Sequence, residues 1–388
     1  MIIERELYVT LKKVIEAPEA IVVTGMRRVG KTTLLRQIQQ DLKSRNTLFL
    51  DLENPAHQKH FEENDYEKIL DALKFMGLSL SEQAFIFIDE IQNMKILPSV
   101  VKYLIDHYGI KFFMTGSSSF YLKNLFSESL SGRKFLFELF PLNFCEFLTM
   151  KEPSIIFNDT MPLSRSLFEH IDRYYNEYLL FGGFPGVVAR ESIEQKKMML
   201  DDIFSSYFNQ EIRQLGDFRK TGVIRNLMLL LMERTGSLLD IQKLSSELGV
   251  SRETIYNYLA FLEQTYFITL VRPYTLNRDS EIRRAPKCYV CDTGMARHFS
   301  RADEGSLFEN AVFLALRARG ELQYYRKKSG AEIDFIVNGK SAFEVKLTAR
   351  EEDVRKLRFM AEHLGLEDYC VVSRKFLHSE HISYGFAL

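Results

Sequence analysis

The chain has no tryptophan, only four cysteines and almost no net charge. Four cysteines among 388 residues are too few for a disulfide framework. Because 51 basic residues balance 52 acidic ones, overall charge does not mark a nucleic-acid-binding protein, although a local basic patch would suffice. No apolar run reaches membrane-spanning length, and the first six residues lack the apolar run of a signal segment. We expect a cytoplasmic protein without a membrane partner.

The chain does have a glycine-bearing loop between an apolar run and a helical pattern. From Gly25 to Thr32 it reads G-x-x-x-x-G-K-T, and β-branched residues precede it. A loop that joins a strand to a helix N-terminus directs backbone N–H groups at one point, where an anion binds. Gly25 and Gly30 let the backbone approach phosphates. Lys31 would contact the β- and γ-phosphates and Thr32 would hold Mg²⁺, so the loop predicts nucleotide binding.

A pair of carboxylates ends a second apolar run. Residues 84–88 are apolar, and Asp89 and Glu90 follow them directly. In a P-loop enzyme the first carboxylate holds Mg²⁺, usually through water, and the second orients or activates the attacking water. Asp89 is therefore a predicted magnesium ligand and Glu90 a predicted catalytic residue.

The sequence offers more than one candidate for each of two further contacts to the γ-phosphate, a sensing hydroxyl and a stabilising arginine. Thr115 and Ser117 follow a third apolar run, and either would sense the γ-phosphate unless the segment is an ordinary polar loop. Arg133, within the chain or across a subunit boundary, would stabilise the developing charge, and Arg27 and Arg28 are its rivals. The predicted nucleotide-binding residues are Gly25, Arg28, Gly30, Lys31, Thr32, Thr33, Asp89 and Ser117, and the predicted catalytic residues here are Lys31, Glu90 and Arg133.

Short apolar runs alternate with helical patterns through the first part of the chain. This alternation indicates a parallel sheet with helices on both faces, and ligands of such sheets bind at the carboxyl ends of the strands. The predicted strands are residues 20–24, 47–52, 84–89, 111–116 and 134–139. From residue 143 the pattern is helical, broken by a turn at residues 181–186 that we expect to pack rather than to contact nucleotide.

Two helical patterns joined by a tight turn predict a helix-turn-helix. Residues 240–249 form a short amphipathic pattern, and residues 252–266 form a longer one. Strand-like residues 267–272 and 287–291 would form a wing. Cys288 and Cys291 fit the second strand better than a zinc or redox site, because no second ligand pair is near.

The helix-turn-helix has two interpretations. In the first it contacts DNA, with Arg252, Glu253, Tyr256 and Asn257 near base edges and Arg272, Arg278, Arg283 and Arg284 at phosphates. In the second it packs against other domains and transmits the nucleotide state. Residues 271–350 carry a net charge of +5, from fifteen basic and ten acidic residues, which favours a basic face only modestly.

A pattern of carboxylates and a lysine lies in the last part of the chain. The order predicted from residue 307 is α-β-β-β-α-β, with a hairpin signal at Asn338-Gly339. Asp334 lies on one hairpin strand, while Glu344 and Lys346 share a face of the next. Such groups can hold Mg²⁺ and activate water against a phosphodiester, and Glu309 on the preceding helix would complete the metal site. The alternative is a strand pair with an accidental charged edge.

The order of motifs resembles a widespread bacterial and archaeal family of AAA-type ATPases. The matching segments are residues 25–33, 87–92, 115–119, 130–133, 141–147, 182–185 and 287–294. The resemblance covers nearly the whole chain and implies an AAA-type core that uses ATP. Met26 stands where relatives often have proline, and its side chain need not touch phosphate.

The C-terminal residues resemble the PD-(D/E)XK nuclease fold. Asp334, Glu344 and Lys346 match its D…E-x-K core, and Glu309 matches its helix acid. Ile333 departs from the usual proline, which is a common variation. The resemblance implies a catalytic set of Asp334, Glu344 and Lys346, with Mg²⁺ held by Glu309, Asp334 and Glu344.

These patterns predict an α/β chain of four segments. They are a P-loop AAA-type ATPase core at residues 1–142, a helical region at 143–235, a winged helix-turn-helix at 236–300 and a PD-(D/E)XK nuclease-like α/β domain at 301–388. We expect ATP hydrolysis that controls a Mg²⁺-dependent nuclease-like domain acting on or binding DNA. The alternative is a non-catalytic, ATP-gated signalling or assembly switch whose C-terminal domain binds a protein. The expected partners are ATP, DNA and further copies of the chain.

Overall fold

The computed structural model describes residues 3–116, 130, 132–155, 164–212, 221–275, 284–327, 330–377 and 379–388. The chain divides into two units. Unit 1 contains Met1–Phe140 and Gln264–Tyr266, and unit 2 contains Pro141–Glu263 and Phe267–Leu388. Among the described residues, none of the helices combines the length and the apolar character needed to cross a membrane.

Unit 1 contains a five-stranded parallel sheet. Its strands are β1 Ala20–Thr24, β2 Thr47–Asp51, β3 Phe85–Asp89, β4 Lys111–Gly116 and β5 Lys134–Glu138. They lie in the order β2-β3-β4-β1-β5, and each neighbouring pair is parallel. The five predicted strands are confirmed, with ends that differ by one residue at most. Because β4 lies between β1 and β3, the segments that follow these three strands meet at one edge of the sheet.

Helices cover both faces of this sheet. They are α1 Glu6–Lys12, α2 Lys31–Asp41, α3 Pro55–Gln58, α4 Tyr66–Phe75 and α5 Leu97–Tyr108. On one face, Ile86 and Ile88 of β3 pack with Leu70 of α4 and Leu104 of α5. Alternate residues of a strand face opposite sides, and Phe87 accordingly stacks between Phe49 and Phe113 on the other face. The predicted α/β class with a parallel sheet is confirmed.

Unit 2 contains a seven-stranded mixed sheet. Its strands are β6 Ile268–Pro273, β7 Lys287–Val290, β8 Leu322–Arg326, β9 Glu332–Val337, β10 Ser341–Lys346, β11 Asp368–Ser373 and β12 Ile382–Tyr384. The order is β12-β11-β10-β9-β8-β6-β7. Residues 338 and 339 form the tight turn between antiparallel β9 and β10, as predicted, with φ values of 52° and 66°. The three-residue edge strand β12 was not predicted.

Unit 2 also contains ten α-helices among the described residues, and from residue 304 its α-helices and strands begin in the predicted order α-β-β-β-α-β. They are α6 Phe144–Lys151, α7 Arg165–Phe181, α8 Pro185–Val188, α9 Ile193–Glu211, α10 Thr221–Glu233, α11 Ile241–Leu248, α12 Arg252–Gln264, α13 Thr293–Phe299, α14 Glu304–Leu316 and α15 Glu351–Leu364. Asp240 caps α11 by accepting from the backbone N–H of Lys243, and Gly249 ends it in a left-handed conformation. The two predicted helices at 240–249 and 252–266 are therefore present, with α12 ending two residues early.

The strands predicted as a wing belong to the C-terminal sheet. Antiparallel β6 and β7 join it because β6 pairs in parallel with β8, where Arg272 aligns with Gln323 and Pro273 with Tyr324. Residues on both sides of the boundaries predicted at residues 236 and 301 therefore belong to unit 2, and β6 and β7 share one sheet with β8 to β12. The physical reason is that backbone pairing with β6 covers the edge of β8, which would otherwise be exposed.

The turn after α7 is held by residues from a distant part of the sequence. The Asp292 carboxylate accepts hydrogen bonds from the backbone N–H of Gly183 at 2.7 Å and of Met295 at 3.0 Å. Phe184, which follows Gly183, is fully buried. The turn therefore packs within unit 2, whereas the packing expected from the sequence was between domains.

Candidate functional site

The predicted phosphate loop joins β1 to α2. Among the described residues, no side chain caps the first turn of α2, so its backbone N–H groups point into the loop. At Gly25, a Cβ atom would lie 2.1 Å from the carbonyl oxygen of Leu139. Glycine at this position therefore allows the loop to pass directly against the end of β5, and Met26 beside it is buried.

Lys31 lies inside the loop at the start of α2, with 5% of its surface exposed. Its ammonium donates hydrogen bonds to the carbonyl oxygens of Gly25 at 2.9 Å and Met26 at 2.8 Å. A phosphate oxygen is a stronger acceptor for an ammonium than a neutral carbonyl. The loop thus presents a cation that a bound phosphate would attract.

Asp89, at the end of β3, connects α2 and β4 at this edge of the sheet. The Thr32 hydroxyl donates to Asp89 Oδ2 at 2.5 Å, and the Thr115 hydroxyl donates to Asp89 Oδ1. The position of β4 between β1 and β3 brings Thr115 to this carboxylate. A hydroxyl and a carboxylate side by side are oxygen ligands that suit Mg²⁺, so Thr32 and Asp89 fit a bound magnesium ion.

Glu90 follows Asp89 and turns away from the strand. Its backbone φ is 55°, a left-handed conformation that is uncommon for residues other than glycine. Its backbone N–H donates to Asp89 Oδ1 at 3.2 Å, and its side-chain Oε2 accepts from Gln92 Nε2. The second predicted carboxylate is therefore held by a hydrogen bond beside the first one.

Arg133 does not lie at this edge, which corrects its predicted role within the chain. It immediately precedes β5, and its carbonyl oxygen accepts from the backbone N–H of Ala20 at 2.8 Å. Ala20 begins β1, whereas the phosphate loop follows the other end of β1, because the two strands are parallel. The Arg133 guanidinium instead pairs with Asp106 at 2.7 Å. Only its alternative role across a subunit boundary remains a prediction.

The other predicted nucleotide residues lie in or beside the loop. Arg27 pairs with Glu53 at 3.6 Å, while Arg28 is exposed and has a left-handed φ of 68°. Thr33 is an exposed residue in the first turn of α2. Ser117 lies outside the described residues. Of the two candidates for sensing the γ-phosphate, Thr115 is thus the one with a described contact to Asp89.

Sequence reasoning missed Arg5, which supports the loop from outside the motif. Arg5 is buried, and its guanidinium donates to the carbonyl oxygens of Val29 at 2.9 Å and Phe140 at 2.7 Å. The Arg5 side chain thereby connects the phosphate loop, at Val29, to Phe140, which follows β5. A lone arginine near the start of a chain carries no local signal of this role.

Tyr266 is a second residue of unit 1 that sequence reasoning missed. Its hydroxyl hydrogen-bonds the Thr24 hydroxyl at 2.5 Å and donates to Glu138 Oε1 at 3.2 Å. Thr24 immediately precedes the phosphate loop. Tyr266 comes two residues after the end of α12 and has a left-handed φ of 65°.

The predicted C-terminal residues line one cleft of about 990 Å³ in unit 2. Asp334 Oδ2 accepts from the backbone N–H of Val345 at 2.9 Å, and Lys346 Nζ donates to Glu344 Oε1 at 2.5 Å. Glu309 reaches the same cleft from α14. The structure therefore brings together Glu309, Asp334, Glu344 and Lys346, as the sequence predicted.

A lysine that was not predicted lies among these carboxylates. Lys287 Nζ is 3.1 Å from Asp334 Oδ1, 3.0 Å from Glu309 Oε1 and 2.6 Å from Glu332 Oε1. Burial alone would lower the pKa of Lys287, but the three carboxylates together raise it. Burial, followed by the neighbouring Asp334 carboxylate, raises the pKa of both Glu309 and Glu344. The cleft is thus a buried network of both charge signs.

This arrangement differs from the predicted Mg²⁺ site at Glu309, Asp334 and Glu344. In the part of the chain that the structure describes, no group of three or more histidine, cysteine, aspartate or glutamate residues is arranged to hold a metal ion. The physical reason is the Lys287 ammonium, which already contacts two of the three predicted ligands. The residues present do not fit a divalent ion.

The predicted DNA-contacting residues of α12 are exposed. Arg252, Glu253, Tyr256 and Asn257 face solvent, whereas Ile255, Leu259 and Leu262 of the same helix are buried. Tyr256 keeps 59% of its surface exposed. Arg278 and Arg283 lie outside the described residues. Cys288 lies in β7 and Cys291 follows the strand directly, where its backbone N–H donates to the carbonyl oxygen of Phe267. Both side chains are buried, and burial raises the pKa of both thiols.

The parallel sheet and the phosphate loop of unit 1 are similar to those of an AAA-type P-loop ATPase domain. A family model described as "AAA domain" matches residues 17–148. Two further models, each described as a domain of unknown function (DUF8612 and DUF4143), match residues 172–306 and 304–384.

The sequence similarity to other proteins covers most of the chain. An uncharacterized protein of Methanocaldococcus jannaschii is 29% identical over 365 residues, which are 89% of this chain and 80% of the relative. An uncharacterized protein of Haemophilus influenzae is 29% identical over 358 residues, 86% of this chain and 84% of the relative. Among solved structures, the Aeropyrum pernix ORC1 protein in complex with DNA is 13% identical, with a TM-score of 0.32 and coverage of 82% of this chain and 94% of that one.

Proposed function

We propose that this chain is an ATP-hydrolysing switch whose nucleotide state controls DNA binding by its C-terminal unit. The observation that carries the ATPase part is the meeting of Lys31, Thr32 and Asp89 at one edge of the sheet, with Glu90 beside them. Phosphoryl transfer depends mainly on positioning and on electrostatic stabilisation, and these residues supply both.

Each residue has a defined task in this proposal. The Lys31 ammonium leaves its two loop carbonyls and binds the β- and γ-phosphate oxygens. Thr32 and Asp89 would hold Mg²⁺, which would neutralise charge on the phosphates. Glu90 orients the water that attacks the γ-phosphorus, and ADP leaves as the γ-phosphoryl group passes to that water.

The Glu90→Gln variant is expected to bind ATP like the wild type but to hydrolyse it about a hundredfold more slowly. Glutamine keeps the size of the side chain and loses the carboxylate charge that orients or activates water. Phosphate release and binding of a fluorescent ATP analogue would be measured together. Glu62→Gln, an exposed acid in the same unit, serves as the control and should keep the wild-type rate. Unchanged hydrolysis by Glu90→Gln would remove Glu90 from the site.

Two surfaces of unit 2 support the DNA part of the proposal. The first is the N-terminal part of α12, where Arg252 and Asn257 offer hydrogen-bond donors and Tyr256 offers an exposed ring. The second is the rim of the cleft, where basic side chains lie around the buried acids together with the acidic Glu352 and Asp353. The rim includes Arg326, Lys327, Arg355 and Lys356. Basic side chains bind phosphates, and exposed aromatic rings stack on bases.

We propose binding of DNA rather than cleavage. Hydrolysis by a PD-(D/E)XK site would need a divalent ion among Glu309, Asp334 and Glu344. The Lys287 ammonium lies at these carboxylates instead. The Lys346 ammonium is likewise paired with Glu344.

Replacing both Arg252 and Tyr256 with alanine is expected to weaken DNA binding by about tenfold or more. Both side chains are exposed, so the double variant should fold and hydrolyse ATP like the wild type. Fluorescence anisotropy with labelled duplex and single-stranded DNA, with and without ATP, would measure the loss. Arg165→Ala removes an exposed arginine of the same unit that is paired with Glu169, and it is the matched control. Equal binding by the wild type and the double variant would exclude this surface.

The exposed ring of Phe359 favours a second candidate function. Phe359 lines the cleft, and 67% of its surface is exposed, which suits a protein partner better than a nucleic-acid backbone. The chain would then be an ATP-gated assembly switch without DNA binding. Light scattering of the wild type and of Lys31→Ala, with and without ATP, distinguishes the two: ATP-dependent assembly without affinity for DNA supports the second candidate.

A further inference from the structure

Lys287 is a buried cation that the proposed function does not use. It begins β7, and only 5% of its side chain is exposed. The remaining residues of β7 are apolar or aromatic. A lysine at a buried strand position is costly unless its charge is paired, because burial removes its hydration.

The carboxylates around Lys287 come from two separate elements. Glu309 belongs to α14, while Glu332 and Asp334 lie two residues apart on β9. All three lie within 3.1 Å of the ammonium. Tyr289, two residues along β7, adds a hydrogen bond from its hydroxyl to Glu309 Oε1 at 2.6 Å. An ammonium has three N–H donors, and the three carboxylates give Lys287 one partner for each of them.

The carboxylate oxygens around Lys287 include those that a divalent ion at the predicted site would need. Glu309 and Asp334 are two of the three predicted metal ligands, and each uses a side-chain oxygen to accept from Lys287. An ammonium and a metal ion a few ångströms apart would repel each other strongly in a buried site. The two cations therefore cannot share these oxygens, and whichever one is present excludes the other.

We propose that Lys287 is the resident cation of the cleft and that it excludes divalent metal ions from the nuclease-like carboxylates. The cleft then works without a metal ion, and the metal site exists only in latent form. Removing the ammonium would leave Glu309, Glu332 and Asp334 without their shared cation in a buried site. A divalent ion would then supply the missing positive charge.

The experiment measures Mn²⁺ binding to the full chain in the absence of nucleotide and DNA. Electron paramagnetic resonance reports free Mn²⁺ directly, and the thermal melting of each variant with and without Mn²⁺ gives a second readout. Lys287→Met keeps the length of the apolar stem and removes the charge. We expect it to bind Mn²⁺ at least about tenfold more tightly than the wild type, because buried carboxylates without a cation favour a divalent ion. We also expect Mn²⁺ to raise its melting temperature.

Two further variants make the result specific. Lys340→Met removes an exposed lysine of the same unit that pairs with Glu367 and does not line the cleft, and it should bind Mn²⁺ like the wild type. Adding Asp334→Asn to Lys287→Met should abolish the gained binding. If a folded Lys287→Met variant binds Mn²⁺ no more tightly than the wild type, the proposal is wrong.

A comparison of the wild type with a variant that retains Lys287 tests the proposal even if Lys287→Met fails to fold. The single variant Asp334→Asn should leave Mn²⁺ binding unchanged, because the wild-type cleft holds no divalent ion. Loss of Mn²⁺ binding in Asp334→Asn would overturn the proposal. Since neither ATP nor DNA is present, these outcomes are independent of the ATPase and DNA-binding measurements.

Discussion

The Lys31→Ala variant is expected to lose ATP hydrolysis by about a hundredfold or more, because one phosphate-binding donor contributes on the order of 10²–10³ in rate. Lys31 is buried inside the loop, and its ammonium is held by the carbonyls of Gly25 and Met26. Alanine removes both this cation and the contact to the β- and γ-phosphates. Binding of ATP should weaken as well, since ammonium–phosphate hydrogen bonds are among the stronger ones in proteins. Phosphate release and equilibrium binding of a fluorescent ATP analogue would quantify the two losses.

A matched control separates this loss from a general effect of charge. Lys74 lies on α4 of the same unit, where it is exposed and pairs with Asp71. Lys74→Ala should therefore hydrolyse ATP at the wild-type rate. If Lys31→Ala retained normal hydrolysis, the assignment of the nucleotide site to this loop would be wrong.

Replacing Gly294 with alanine is expected to destabilise unit 2 by about 3 kcal/mol or more. A Cβ at Gly294 would lie 2.2 Å from the carbonyl carbon and oxygen of Phe181 and 2.6 Å from the backbone nitrogen of Gly182. These are backbone atoms that cannot move aside by a change of rotamer. Their position is fixed in turn by Asp292, which accepts from the next residue, Gly183. The result would be visible as a lower urea midpoint.

Gly222→Ala is the control for this substitution. Gly222 lies in the first turn of α10, and a Cβ there would meet none of the described residues within 4 Å. Alanine is favoured over glycine in helices, so this variant should be as stable as the wild type or up to about 1 kcal/mol more stable. Because the chain lacks tryptophan, circular dichroism should follow the unfolding. Equal stability of the two variants would contradict the close packing at Gly294.

Local sequence predicted the strands and the phosphate loop of unit 1 well. Short β-branched and aromatic runs define β1 and β3, and the loop is contiguous in sequence, so its geometry follows from neighbouring residues. The place of Arg133 was harder to predict, because it depends on the register between β1 and β5. Arg133 directly precedes β5, so it lies at the edge opposite the phosphate loop once β5 is paired in parallel with β1.

In the C-terminal cleft, too, some residues were predictable from local sequence and others were not. The two-residue spacing of Glu344 and Lys346 predicted their shared face, and the structure brings both to the cleft. The sequence predicts Lys287 only as the start of a strand and of a family-matching segment, and its partner Glu309 is 22 residues away in sequence. No spacing rule connects these residues. A charged residue at the start of an otherwise apolar strand was the one available signal.

The sequence by itself determined the parallel α/β class, the phosphate loop with its carboxylate pair, and the set of acids in the last segment. These features follow from periodicity and from short contiguous motifs, which depend on local backbone geometry. Only the tertiary structure decided that β6 joins the C-terminal sheet and that Lys287 neutralises Glu309 and Asp334. Pairing between distant strands and the balance of buried charge depend on which elements meet in space, and no local pattern encodes that.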